Sequence, residues 1–535
     1  SVEALIAKLA DPSDRVRFFA AISLGKLGDH RAVQPLLALL RHNADRDPFL
    51  RHAAVMGLSG AADAESLQAA MDDPSVAVRR GALLTLRRWK SPAVATFLRD
   101  ADPGLVAEAA RAIYDELIEE AMPALAELVA QPGLPDSAVR RAVAANFRLG
   151  QAANAAALAA LAGNDRAEVP VRVLALQLLG QWAEPSGRDP ISCLWRPLEK
   201  REISDVQVAA RQYLPGLFAG PAEVRQEAAK LAGTLGLGDA APLLVKLALD
   251  ASSPEQGRLD ALAALVHLNP PQLAEVIDQM LRDDSPAVRA AATVALAQQR
   301  PDAFLAAAPG MLEQGTLRER QAVFTSLGTL QSTAADALLI QWLDRLLAGQ
   351  VPADCQLDLL EAARSRNTPE ITQRLQQYDA SRDASDPLAG WQETLFGGDA
   401  ARGEVLFFQR VDLSCRRCHK VRGQGGDVGP DLTHVAKDKD RRYLLESIVA
   451  PSAKIAKNFE TLILILDDGN TVSGIVKSQD DKTISLLTPQ GNIITVEKDR
   501  IEEQATGQSA MPQDLVKLLS RRELRDLVEY LSTLK

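Results

Sequence analysis

The chain has 535 residues, a net charge of −10 and 47% hydrophobic residues, but only 4% aromatic ones. That length calls for more than one domain, with aliphatic cores, and the acidic balance argues against nucleic acid as the main partner. No apolar run approaches the roughly 18 residues a membrane helix needs, so no membrane span is expected. The acid is unevenly placed: Gly398 to Lys535 carries 21 basic and 21 acidic residues, so the whole excess lies upstream.

Residues 1–377 are self-similar. The unit is clear in Asp11-Pro12-Ser13-Asp14-Arg15-Val16-Arg17-Phe18-Phe19-Ala20-Ala21-Ile22-Ser23-Leu24-Gly25. It returns at Asp73 to Ala82, Asp136 to Val143 and Asp284 to Ala292, with weaker copies beginning at Asp47, Asp102, Val169, Ala222 and Leu317. Asp, Ser and Pro at the head of each unit supply a helix N-cap and first turn. The Val, Ala and Leu that follow at helical spacing form one buried stripe, and the small Ala residues allow close helix packing. A second apolar helix follows, as in Ala32 to Leu40. Such pairs bury their faces only by stacking on neighbours, which predicts an α-solenoid. The pattern resembles short HEAT repeats, about eleven of them. Ser1 to Ala10 reads as the second helix of a repeat whose first helix is missing, so a truncated or processed start is expected. His30, His42, His52 and His267 are scattered singly and read as surface or interhelix residues. Cys193 and Cys355 read as small buried hydrophobes.

Residues 378–397 are polar, with Ser, Asp and Pro, and predict a linker; Trp391 and Phe396 are the side chains that would dock it. Beyond it, residues 398–535 change character. Asp399 caps a short helix through Phe408. Then comes Cys415-Arg416-Arg417-Cys418-His419, the Cys-x-x-Cys-His sequence that attaches haem c: two thiols form thioethers and the adjacent His binds the iron. Zinc would need a second ligand pair and a thioredoxin site a βαβ context, and the sequence shows neither. A glycine-rich loop, Gly423 to Gly429, leads into the rigid turn Gly429-Pro430-Asp431-Leu432. Arg441 to Val449 predicts a helix. Alternating strands, with turns at Asp467-Asp468-Gly469-Asn470, Gln479-Asp480-Asp481 and Pro489-Gln490-Gly491, predict an antiparallel β insert at about 459–500. Met511, in Ser509-Ala510-Met511-Pro512, is the single methionine after the haem sequence and the candidate second axial ligand; Pro512 favours an extended backbone there. The rivals are His434, only 15 residues after His419, and an open iron position. Ser520-Arg521-Arg522-Glu523 is a capping box opening a helix with Leu524, Leu527, Val528, Leu531 and Leu534 on one face.

Together these motifs resemble the haem-binding c-type cytochrome domain of the Planctomycetes–Verrucomicrobia type, which often follows HEAT-like repeats. The resemblance implies a mainly α fold: a HEAT-like α-solenoid, then a class I-like cytochrome c domain at 398–535 with a small antiparallel β insert. It implies that the terminal helices cross at Gly403, Phe407 and Tyr530, and that the Pro430 carbonyl orients His419. Many relatives carry a sugar-dehydrogenase-like β-propeller that this sequence lacks, so no dehydrogenase activity carries over.

The reading that follows is an electron-transfer module with one covalent haem c, thioethers at Cys415 and Cys418, and axial ligands His419 and Met511. It is more an electron carrier than an enzyme, or else the cytochrome part of a larger dehydrogenase. Its partner would be a redox protein, a periplasmic dehydrogenase or another cytochrome, docked through or near the array. Arg416, Arg417, Lys420 and Arg422 are placed to steer an acidic one. Haem c is attached after export, so a periplasmic or otherwise exported protein is expected, with the leader absent from this chain. Two alternatives stand beside it: an interaction scaffold in which the haem is secondary, and a haem enzyme with an open iron site.

Overall fold

A computed structural model describes all 535 residues. The chain is mainly helical and divides into two compact units, Ser1–Met280 and Leu281–Lys535.

In the first unit the repeated sequence forms helix pairs as its spacing predicts. The helices Asp14–Leu27, Pro48–Ala61, Val76–Arg88, Pro103–Asp115, Asp136–Leu149, Val169–Gly180 and Ala222–Thr234 begin at or next to the repeat heads. Asp47 and Asp102 cap their helices by accepting backbone N–H bonds. A further repeat helix, Glu255–Leu268, was not evident from sequence because its head lacks the Asp and Val of the stronger copies. Ala20, Ala21, Leu24, Ala53, Ala54 and Leu58 are buried in the core between the first helices. Glycine sets the closest approach: a Cβ on Gly25 would lie 2.6 Å from the Met56 carbonyl oxygen, and one on Gly60 would lie 2.8 Å from the Gly25 carbonyl carbon. The arginine of the repeat has a role that periodicity does not reveal. Arg172 and Arg258 are buried, and their Nε–H groups donate to the Ala162 and Ala248 carbonyls at the ends of preceding helices. Arg141 instead bridges to Asp115 of the preceding repeat helix.

Residues between Gly180 and Ser204 form an anchored loop without regular structure. Tyr114 donates to Asp189 at 2.8 Å, and the Arg201 guanidinium lies over the rings of both Phe147 and Trp182. This loop corrects the reading of Cys193. Cys193 is exposed with φ +58, because it sits on the loop rather than on a helix face, whereas Cys355 is buried on its helix. His30, His42, His52 and His267 are exposed.

In the second unit the helices Pro286–Gln299, Leu317–Thr329 and Ala353–Arg364 pack in succession, and the last also carries ion pairs to the final helix. Its Asp358 is buried against Arg525 of the final helix, Arg521–Thr533, at 2.6 Å. The stretch 378–397 is docked. Glu393 is buried and receives bonds from Tyr378, Arg382 and Arg521; Trp391 lies under the Arg521 guanidinium and Phe396 under Arg441.

The C-terminal region has a helical frame and a β-sheet. Helix Ala400–Gln409 is capped by Asp399 and packs on helix Arg521–Thr533, whose Ser520–Glu523 capping box forms as the sequence predicts. The two cross at Gly403, where a Cβ would lie 2.6 Å from Tyr530 Cβ and closer still to the Asp526 carbonyl oxygen. Phe407 meets Tyr530 there, ring centroids 5.8 Å apart. Helix Arg441–Val449 is clamped to the final helix by a bidentate Arg441–Glu529 pair. A two-residue hairpin, β1 (Lys420–Val421) and β2 (Gln424–Gly425), follows the Cys-x-x-Cys turn. The insert forms strands β3 (Thr461–Leu466), β4 (Thr471–Gln479), β5 (Thr483–Leu487) and β6 (Ile493–Glu497). A fifth strand, β7 (Ile501–Thr506), returns to pair with β3, giving the order β6-β5-β4-β3-β7. Its sequence, Ile-Glu-Glu-Gln-Ala-Thr, is almost wholly polar and exposed, which is why strand patterning does not reveal it.

Candidate functional site

Cys415–Cys418 is a single helical turn entered through Ser414, whose φ is +51. The following loop folds straight back over it: Gly426 N–H donates to the Arg416 carbonyl at 2.9 Å and Gly429 N–H to the Cys418 carbonyl at 2.7 Å. Glycine is required for that closeness. A Cβ on Gly425 would lie 3.0 Å from the Arg416 carbonyl oxygen and closer still to that of His419. A Cβ on Gly429 would lie 2.5 Å from the edge of the His419 ring. The glycines therefore let the backbone lie directly on the imidazole.

His419 Nδ1 is 2.9 Å from the Pro430 carbonyl oxygen. A carbonyl only accepts, so Nδ1 carries the proton and Nε2 keeps its lone pair. Burial holds the ring below its usual pKa, partly opposed by the Pro430 bond. A neutral, oriented imidazole with a free Nε2 is a metal ligand in waiting. The two thiols are free, and burial raises both, Cys415 to about 11. Thiols raised in this way lack the depressed pKa of a thioredoxin-like pair.

Cys415, Cys418, His419, Pro430 and Met511 all line one cavity of about 350 Å³, walled mainly by apolar side chains from Phe407, Leu413, Leu444, Ile448, Leu527 and Leu531. Met511 reaches it from a loop pinned to the turn after helix Arg441–Val449. Met511 N–H donates to Ser509 Oγ, and Ser509 N–H to Ser452 Oγ, each at 3.2 Å. His434 also borders the cavity, but it is exposed and its Nδ1 is bonded to the Lys535 carbonyl at 3.0 Å. No group of three or more His, Cys, Asp or Glu side chains gathers as a metal site anywhere in the chain. The donors here are thus two thiols, one imidazole and one thioether, around an apolar slot. That set fits a covalently attached haem.

Of the four basic residues flanking the motif, Lys420 is tied to Asp427 at 2.6 Å. Arg416, Arg417 and Arg422 are exposed. Sequence reasoning missed Phe459, Ile475 and Ala510, which wall the cavity from the insert and the Met511 loop. Their only signal was that strand β4 keeps apolar residues at adjacent positions, Ile475 and Val476, and so is apolar on both faces.

Residues 1–59 match a family model for HEAT repeats. Among solved structures the chain is similar to Kap121p, at 14% identity over 78% of this chain and 47% of that one, with a TM-score of 0.42. It is also similar to the complex of CpcE and CpcF of phycocyanin lyase from Nostoc sp. PCC7120, at 16% identity over 54% and 94%, TM-score 0.25. A third similarity is to human deoxyhypusine hydroxylase, at 18% over 56% and 96%, TM-score 0.21. The chain spans about half the length of Kap121p. No curated protein matches it. The chain is thus mainly helical, with a match to HEAT repeats over its first 59 residues.

Proposed function

We propose that this HEAT-repeat protein is an electron carrier. Residues 398–535 hold one covalent haem c, and the helical array serves as the docking platform for a redox protein partner. The observation that carries the reading is the convergence of Cys415, Cys418, His419 and Met511 on one apolar cavity, with His419 oriented by Pro430. When bound, the haem supplies one-electron exchange at its iron. The protein's own part is to hold it. Cys415 and Cys418 would anchor it through thioethers, while the Pro430 carbonyl fixes the His419 tautomer and the Ser509–Ser452 contact holds the Met511 loop in place. Were His419 and Met511 both to hold the iron, no place would be left there for a substrate, which favours a carrier over an enzyme. A periplasmic or otherwise exported location follows from how haem c is attached, and a dehydrogenase or a second cytochrome is the partner class that such a carrier serves.

A direct test is haem content after expression with a c-type maturation system. The parent should carry one haem per chain that survives denaturation, and Cys415→Ser with Cys418→Ser should carry none. Equal haem in both would refute covalent attachment.

A second reading is favoured by the extent of the helical repeats, which make up most of the chain and match HEAT repeats at its start. HEAT arrays present extended surfaces to partners. On that reading the chain is an interaction scaffold and the haem is secondary. Electron flow in the isolated complex separates the two: Met511→Ala should abolish it in a carrier and leave it intact in a scaffold.

A further inference from the structure

The β-sheet has a core of its own: Leu464, Leu466, Ile484, Leu486 and Val496. Two more apolar residues do not belong to it. Ile475 on β4 and Leu487 on β5 are direct cross-strand partners, so their side chains lie together on one face. Each is buried, at 5% and 6% exposure, although the sheet's core closes without them. What covers them is the loop after the haem sequence. Ile475 and Leu487 form a separate cluster with Val428, against which Cys418, Phe459 and Ala510 pack. Cys418, Val428, Phe459, Ile475 and Ala510 all line the cavity of the proposed haem. The register shifts between Val476 and Ser478, and the end of β4 beyond that point is exposed.

An ordinary antiparallel sheet on a protein surface turns a polar face to water. This one spends an apolar pair on the wall of a neighbouring cavity, at the edge where Cys418 lies. We propose that the sheet is a cover: Val428, Ile475 and Leu487 seal the Cys418 edge of the haem site against water and thereby hold its reduction potential high. The proposal rests on the haem reading above. The physical reason is charge. The oxidised centre carries one more positive charge than the reduced one, and an apolar wall that excludes solvent disfavours that charge. Admitting water at this edge would stabilise the oxidised form and lower the potential.

The test is a spectroelectrochemical titration of the full-length, haem-loaded protein and three variants. Ile475→Thr and Val428→Thr place a hydroxyl in the seal; the second keeps the side chain's shape, so its result does not depend on the sheet's stability. Ile493→Thr changes a residue that is 64% exposed on edge strand β6 and serves as the control. Ile475→Thr should shift the reduction equilibrium at least tenfold towards the oxidised form, a fall of 59 mV for a one-electron couple. Val428→Thr should move the potential the same way and Ile493→Thr should leave it unchanged, with the absorption features of Met ligation kept throughout. Unmoved potentials in both seal variants, or an equal fall in the control, would overturn the cover while leaving the haem reading standing. A parent chain without covalent haem would overturn both.

Discussion

Asp358 and Arg525 allow a quantitative test of how the second unit is held together. Asp358 Oδ2 is 2.6 Å from Arg525 Nη1, and the side chains are 1% and 6% exposed. Arg522 adds a weaker contact to Asp358 at 3.5 Å while holding Glu361 at 2.5 Å. Removing the carboxylate in Asp358→Ala leaves a buried guanidinium that cannot shed its proton. Breaking such a pair costs about 3–5 kcal/mol, and the neighbouring Asp526 offsets part of that, so about 3 kcal/mol is expected. Arg525→Met should cost less, because Arg522 remains and the stranded carboxyl can take up a proton; burial already raises the Asp358 pKa. The sign of the pH dependence follows. A carboxyl whose folded pKa lies above its unfolded one favours the fold at low pH and loses that contribution as pH rises through the folded value. Arg525→Met should therefore destabilise more at pH 7 than at pH 4. Hydrogen exchange of the helix Arg521–Thr533 measures both effects. Asp358→Ala should speed exchange of its protected amides roughly a hundredfold. A change under threefold, or a larger loss in Arg525→Met than in Asp358→Ala, would refute the reasoning.

Three further outcomes are expected. Gly429→Ala should displace the His419 ring, against which its Cβ would lie at 2.5 Å, and be read as a loss or shift of the axial-His spectrum while far-UV circular dichroism stays unchanged. Glu319 is held at about 2 against burial by bonds from Arg289 and Thr316, so its contribution is present above its unfolded pKa of about 4.5 and is lost as pH falls towards 2. Glu319→Gln should flatten the acid limb of a stability–pH profile by at most about 3 kcal/mol. Gly60→Ala should destabilise the first unit by about 1–3 kcal/mol, measured by urea unfolding, because its Cβ would lie against the Gly25 backbone.

How much of this was legible in the sequence depends on the range of each interaction. Local signals read through cleanly. The repeat heads, the Ser520–Glu523 box, the helix Arg441–Val449 and four of the five sheet strands follow from caps, turns and periodicity. Gly403 and Pro430 came by resemblance rather than from a local signal; Gly403 lies against Tyr530 and the Pro430 carbonyl against His419 Nδ1. What did not read through depends on distant partners. Arg525 and Asp526 look like solvent-facing charges until Asp358, 167 residues away, and the Asp399 backbone are placed beside them. Strand β7 is polar and exists only because β3 offers a free edge. Ile475 read as an ordinary strand residue; that it walls a cavity depends on Val428 arriving from the loop after the haem sequence. Cys193 misled although the break was in the sequence: Pro185-Ser186-Gly187-Arg188-Asp189-Pro190 ends the helical pattern just before it and puts it on a loop.

The central claim is that Cys415, Cys418, His419 and Met511 hold a redox-active haem c. The measurement that tests it most directly is a haem-stained denaturing gel of the full-length protein, paired with a redox-titrated absorption spectrum. The account predicts haem that stays with the chain on the gel and a single one-electron transition with the features of Met ligation, which Met511→Ala removes. An unstained chain, or a stained one whose spectrum is indifferent to Met511→Ala, would contradict it.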